Sequence, residues 1–270
     1  MTAVSAEYVQ ARRVLLDALG ALGPHRASCV LVGAQAVYVH TGEAEFVGYV
    51  THTTDADLVM DLAALGPDPR IEDALLKAGF THAPNPGSWE GEGKVKIDLM
   101  TAPYQSPGKN RDAKVPGHGE KVARVTPGLE PCLVDRQAVP IRSLDPADER
   151  EFTMDVAGPA ALLVAKATKV RERHETAQRG GRDRRKPKDC VDCLRLLQSV
   201  PSEILVEGLA RHARDPHAEP VSRAAIEFLT EQLGRGDEDI FRQGILEELA
   251  DPVAGDSYSA LLHMLISDMA

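Results

Sequence analysis

The chain has 270 residues, is 43% hydrophobic and 27% charged, and carries a formal net charge of −10. That length can bury a real core as one large domain or two modest ones, and the balance is that of an ordinary soluble globular protein. The negative charge argues against a general attraction to nucleic acid. No stretch reaches the roughly 18 apolar residues a membrane span needs, and Met1 to Gln10 lacks the basic and apolar regions of a secretory leader. A cytoplasmic location with no membrane partner is the expectation.

In chain order, residues 7–22 have helical apolar spacing. Cys29–Val32 reads as a short strand that ends at Gly33, and residues 34–40 read as a helix. Residues 42–53 are irregular. Asp55–Met60 alternates acid and apolar residues with the period of a half-buried strand. Ile71–Gly79 is a helix with a glycine at its end, and Lys94–Met100 alternates again. Residues 101–121 are rich in Pro, Gly and Lys and read as a long loop. Short strand-like pieces lie within 132–144.

Near residue 150 the character changes. Gly158-Pro159 opens an Ala/Leu-rich helix, with the proline suited to a first helical turn. A basic, glycine-containing loop follows, then a helix from Cys190 and three or four amphipathic helices over 201–270. The expected fold class is α+β: a small twisted mixed sheet with flanking helices over 1–148, then a helical part over 149–270.

Charge is uneven. Between Lys166 and Lys188 there are ten Lys or Arg against Glu172, Glu175 and Asp183, a local +7 that leaves −17 for the rest. Such a block is either a solvated face or a local anion-binding surface. Within it, Arg182, Arg184, Arg185 and Lys186 are the best candidates for contacts to a nucleic-acid backbone. No aromatic residue interleaves them, so base stacking is not suggested there.

The chemistry concentrates in the acids. Asp55 and Asp57 are two apart on a strand, so their side chains share a face. Two adjacent carboxylates repel unless a cation joins them, and hard oxygen ligands suit magnesium. Asp98, between Ile97 and Leu99, joins them if its strand pairs beside the first. Three carboxylates can hold two metals, one activating a hydroxyl and one binding a triphosphate. Upstream, Gly33 marks a strand-to-helix turn whose free N–H groups suit phosphate.

The order Leu31-Val32-Gly33-Ala34, Thr54-Asp55-Ala56-Asp57-Leu58, Val95-Lys96-Ile97-Asp98-Leu99 resembles the DNA polymerase β-like nucleotidyltransferase superfamily. Within it the chain looks most like the AbiEii and MenT-type toxin branch, through the segments Ala165–Arg171 and Lys188–Asp192. The resemblance covers roughly residues 29–198. It implies a nucleotidyltransferase fold in which the helical part contributes a Lys and an Asp to the site. Asp55, Asp57 and Asp98 would hold two Mg2+ ions (with Mn2+ as the substitute), and Asp98 could also serve as general base. Gly33, Ala34, Thr54 and Arg171 would contact the nucleotide. Lys166 or Lys169 would contact the triphosphate, and Asp189 would orient that lysine or the acceptor. The implied reaction moves an NMP from an NTP to a hydroxyl, with a tRNA 3′ end as the acceptor and an antitoxin protein as a partner. The pattern departs from the family at Ala34, where a second Gly or Ser is usual, and in the long stretch from Gly33 to Asp55. An antibiotic-modifying nucleotidyltransferase and a degenerate nucleotide-binding protein therefore stay open.

Other residues invite blander readings. His40 and His52 read as surface or capping residues, and Asp61 as a cap. Trp89 is either a base-stacking platform or a loop anchor. Lys109, Arg111, Lys114 and Lys121 either touch an RNA acceptor or keep the loop soluble. Cys29, Cys132, Cys190 and Cys193 read as thiols, since a single CxxC in a helix is weak zinc evidence.

Overall fold

The computed structural model describes residues 4–42, 53–108 and 111–269. The strands are β1 (Cys29–Val32), β2 (Asp55–Met60), β3 (Thr81–His82), β4 (Ser88–Glu90), β5 (Lys96–Thr101), β6 (Asp112–Ala113), β7 (Ala123–Val125), β8 (Arg136–Arg142) and β9 (Glu151–Ala157). The helices are α1 (Ala6–Leu22), α2 (Gly33–Thr41), α3 (Ile71–Lys77), α4 (Pro159–Gln178), α5 (Pro187–Ser199), α6 (Ser202–His212), α7 (Ala218–Leu233), α8 (Ile240–Leu249) and α9 (Pro252–Asp268). The fold is α+β, with the helices from α4 onward gathered after the last strand.

The sheet order is β3-β4-β5-β2-β1-β9-β8, with β7 pairing on β5 and β6 on β7. It is mixed: β2 runs parallel to β5 and antiparallel to β1, while β1 runs parallel to β9. The apolar residues that alternate with the acids on β2, Ala56 and Leu58, are buried in one continuous core that extends from α1 to α9. Ser5 caps α1 by accepting from the Tyr8 N–H at 3.2 Å, which satisfies one of the orphan donors of the first turn.

Two local expectations are corrected. The strand-like piece at 132–135 is a 3-10 turn, Pro131–Leu133, whose Cys132 and Leu133 are buried; a short apolar run does not by itself distinguish strand from helix. The long loop holds β6, which pairs with β7. In addition β9 lies past residue 148 yet sits inside the sheet, paired with both β1 and β8. Its alternation of Phe152, Met154 and Val156 with Glu151, Thr153 and Asp155 is a strand signal.

The helical part is fastened to the sheet by polar contacts as well as packing. Asp135, at the entry to β8, accepts from Arg211 of α6 at 2.7 Å, and its backbone oxygen accepts from Gly158 N–H at 2.7 Å. Arg195 of α5 donates to Thr41 Oγ1 at 2.6 Å and lies over the Tyr38 ring, 4.7 Å from its centroid. These links tie α6 and the start of α4 to the entry of β8, and α5 to α2.

Candidate active site

Strand register assembles the acids. Asp57 is directly beside Asp98 on β5 and beside Val32 on β1. Asp55 and Asp57 are half-buried on one face of β2. Gly33 opens α2 at φ +71°, a conformation that favours glycine, and a Cβ there would overlap the Asp57 carboxylate. The first turn of α2 thus meets the acids with its backbone, and its N–H groups have no side-chain cap. Gly33→Ala should lower the activity of this site by about a hundredfold or more, since strain and the clash fall on Asp57 itself. Activity alongside a melting curve checks this.

Two residues that the sequence does not single out brace this corner. Gln35 donates to the Asp55 backbone oxygen at 3.1 Å, and Arg12 donates to Gln35 Oε1 at 2.9 Å. Both are buried, so α1 and α2 hold the start of β2 in place. Asp55 Oδ1 also accepts from Thr53 Oγ1 at 3.0 Å.

Arg124 on β7 is a third such residue. Its Nη2 donates to Asp98 Oδ2 at 2.6 Å, and Asp98 and the neighbouring acids hold the guanidinium's pKa up against the opposing effect of burial. Asp98 Oδ1 is buried without a hydrogen-bond partner among the described residues. Burial, Asp55 and Asp98 push the Asp57 carboxyl up to about 6, although Lys169 and Arg124 pull the other way. A cluster that resists its own ionisation, with an oxygen left unsatisfied, fits a hard divalent cation in its donor chemistry. Among the described residues no three acids, histidines or cysteines already stand together as a metal cage. Asp98 leans on Arg124 instead.

On α4 and α5 a second charged cluster separates the two candidate lysines. Lys166 is buried between Asp189 at 2.9 Å and Asp192 at 2.5 Å. Burial alone would lower its pKa, but the two carboxylates hold it well above the usual lysine range. Asp189 also takes Arg173 at 2.6 Å and Lys169 at 3.4 Å. Those three cations hold its pKa well below the ordinary value despite burial. Lys169 keeps 41% of its side chain exposed.

Between the acids and α4 lies a cleft of about 570 Å³. It is lined by Gly33, Asp57, Arg124, Lys166 and Lys169, with Arg111, Arg173 and residues 182–186 as a largely basic wall. Arg185 is forked onto Asp183, at 2.8 Å and 3.1 Å. Arg182, Arg184 and Lys186 are exposed at the wall.

Of the expected site residues, Gly33, Asp57, Lys166 and Lys169 line the cleft, and Asp55, Asp98 and Asp189 do not. Arg171 donates to the Ala224 backbone at 3.1 Å and lies over Phe228 of α7. It follows Lys169 by two positions, about 200° around the helix, so it must face away. Thr54 is exposed at the bend before β2, and Ala34 is buried in the first turn of α2; neither lines the cleft. Trp89 is fully buried and donates to the Val122 backbone at 3.0 Å, so it anchors a loop. His40 bonds the Ala157 backbone oxygen at 2.7 Å. Asp61 accepts from Ala63 N–H at 3.2 Å, a local cap. The four cysteines are buried and unbridged. His52 and Lys109 lie outside the described residues. Among the described residues no helix is long and apolar enough to cross a membrane.

No curated protein matches the chain. A nucleotidyltransferase family model matches residues 11–200. That range holds every acid, glycine and lysine of the cleft, and the chain belongs to the nucleotidyltransferase family.

Proposed function

We propose that the protein transfers an NMP from an NTP to a hydroxyl of an RNA acceptor, with a tRNA 3′ end as the first candidate. The observation that carries this reading is the charge of the cleft. Its lining combines Arg111, Arg124, Lys166, Lys169, Arg173, Arg182, Arg184, Arg185 and Lys186 with three acids, Asp57, Glu172 and Asp183. In a chain of net charge −10, this local excess suits a polyanion and repels a cationic antibiotic. The drug-modifying reading is correspondingly weaker. The resemblance to toxin nucleotidyltransferases adds a toxin role, with an antitoxin as partner.

Within this reading Asp55 and Asp57 would hold the metal, Mg2+ or Mn2+, with Asp98 beside them. A divalent ion in such a site neutralises phosphate charge and aids loss of pyrophosphate. The first turn of α2 binds phosphate through its backbone N–H groups. Lys169 is the lysine offered to the triphosphate, because Lys166 is enclosed by two carboxylates. Asp189 positions both lysines and Arg173. Arg124 fixes Asp98 beside Asp55 and Asp57 through its Oδ2.

The test is incubation of purified protein with magnesium, each labelled NTP in turn and total tRNA, beside an Asp55→Ala/Asp57→Ala double variant. Label entering RNA with the wild type alone is the expected result. Transfer unchanged in the double variant would overturn the assignment of the acids. Modification of small hydroxylated compounds with no label in RNA would replace the acceptor.

A further inference from the structure

Behind the basic wall lies a second cavity, of about 140 Å³. Its size is close to the roughly 150 Å³ of a cavity that takes one benzene ring. Val170, Pro187, Cys190, Ile240 and Gly244 give it apolar lining beside the buried Asp189 carboxylate, and the exposed Gln243 and Glu247 line it from α8. Gly244 lets α8 sit against α5, because a Cβ would press on Cys190 Sγ. Gln243 donates its amide to the Asp237 backbone oxygen at 3.1 Å, which fixes the amide plane. Arg173, Asp183, Arg185 and Lys186 line both this cavity and the catalytic cleft. The basic segment is therefore a partition with a pocket on each side. The far pocket is closed by α8, which lies beyond the residues 11–200 matched by the nucleotidyltransferase family.

We propose that the cavity between α4, α5 and α8 receives one nucleobase of the RNA acceptor, while its phosphates cross the basic partition toward Asp57. The inference rests on the RNA-acceptor reading. A flat ring system suits a cavity of this size whose apolar lining comes from Val170, Pro187 and Ile240, since bases held out of a stack are gripped by apolar side chains and hydrogen-bonded at their edges. The Glu247 carboxylate accepts hydrogen bonds only, which favours a base with an exocyclic amino group. The partition supplies charge to the backbone on both sides of that base. Because α8 lies outside the family match, the pocket would give this chain its own choice of acceptor.

The experiment measures binding of a 5′-fluorescent single-stranded RNA by anisotropy, without metal or NTP. Each position in turn is made abasic, and each RNA is tested on the wild type, Gln243→Ala and Ile240→Ala. Gln243 is exposed, so its variant carries little risk to folding. The expected result is one position at which base removal weakens wild-type binding by about tenfold. Removal of that base should cost much less in the variants. Binding that falls equally little at every position, or a sensitive position that persists in both variants, overturns the pocket and leaves the RNA reading standing. No RNA binding, with transfer to small hydroxylated compounds instead, overturns both.

Discussion

Asp57→Asn should abolish nucleotidyl transfer, by about two orders of magnitude or more, and yet make the metal-free protein more heat-stable. Burial and the neighbouring Asp55 and Asp98 raise the Asp57 carboxyl from 3.8 to about 6. The native carboxyl therefore holds its proton more tightly than the unfolded chain does. Stability from that proton is fully present below the unfolded value and is lost as pH rises through about 6. Asn keeps the shape and cannot ionise. Solvent at the cleft tempers the effect, leaving about 1–2 kcal/mol above pH 7, or about 2–6 °C in Tm for a chain of this size. Melting curves at pH 8, 6 and 4 check it. The gap should be widest at pH 8 and close toward pH 4; a gap independent of pH would remove Asp57 as its source. Added Mg2+ or Mn2+ should then raise the wild-type Tm and not the variant's, because an ion offsets the repulsion that Asn has already removed. A wild type indifferent to both ions speaks against a metal at this carboxylate.

The second large effect separates the lysines. Lys166→Ala should destabilise the protein by about 3–5 kcal/mol, because it takes from the buried Asp192 its lysine and from Asp189 one of its three cations. Asp189 is 1% exposed and Asp192 5%, so neither can recover its charge from water. Lys169→Ala should cost far less stability, since its side chain is 41% exposed and Asp189 retains Lys166 and Arg173. Its loss should fall on transfer, at about ten- to a hundredfold, with KM for the NTP rising if the contact is to ground-state phosphate. Urea melts and steady-state kinetics on the two variants distinguish the roles. Equal stability losses would mean that the salt-bridge geometry does not separate them.

The sequence by itself determined the local features whose periodicity is short. The spacing of Asp55 and Asp57 put both on one face of a strand, because side chains alternate with period 2. Gly33 at the end of an apolar run marked the strand-to-helix turn, and Pro159 the start of α4. The same rule fits Phe152, Met154 and Val156 of β9, a strand that the expected helical part over 149–270 left out. Charge counting located the basic segment.

Only the tertiary structure decided what long-range pairing controls. The β2–β5 register set Asp98 beside Asp57, and β7 placed Arg124 on Asp98; no sequence period encodes which strands become neighbours. Lys166 and Lys169 lie on one helix a turn apart, so local pattern treats them alike. The packing of α5 buried one between Asp189 and Asp192 and left the other open to the cleft. Arg171 was drawn to α7 by a carbonyl and an aromatic ring 53 and 57 positions away. Arg12 and Gln35 likewise brace β2 through contacts among distant segments. Such contacts depend on how separate elements pack, whereas the faces of a strand or helix follow from its own repeat.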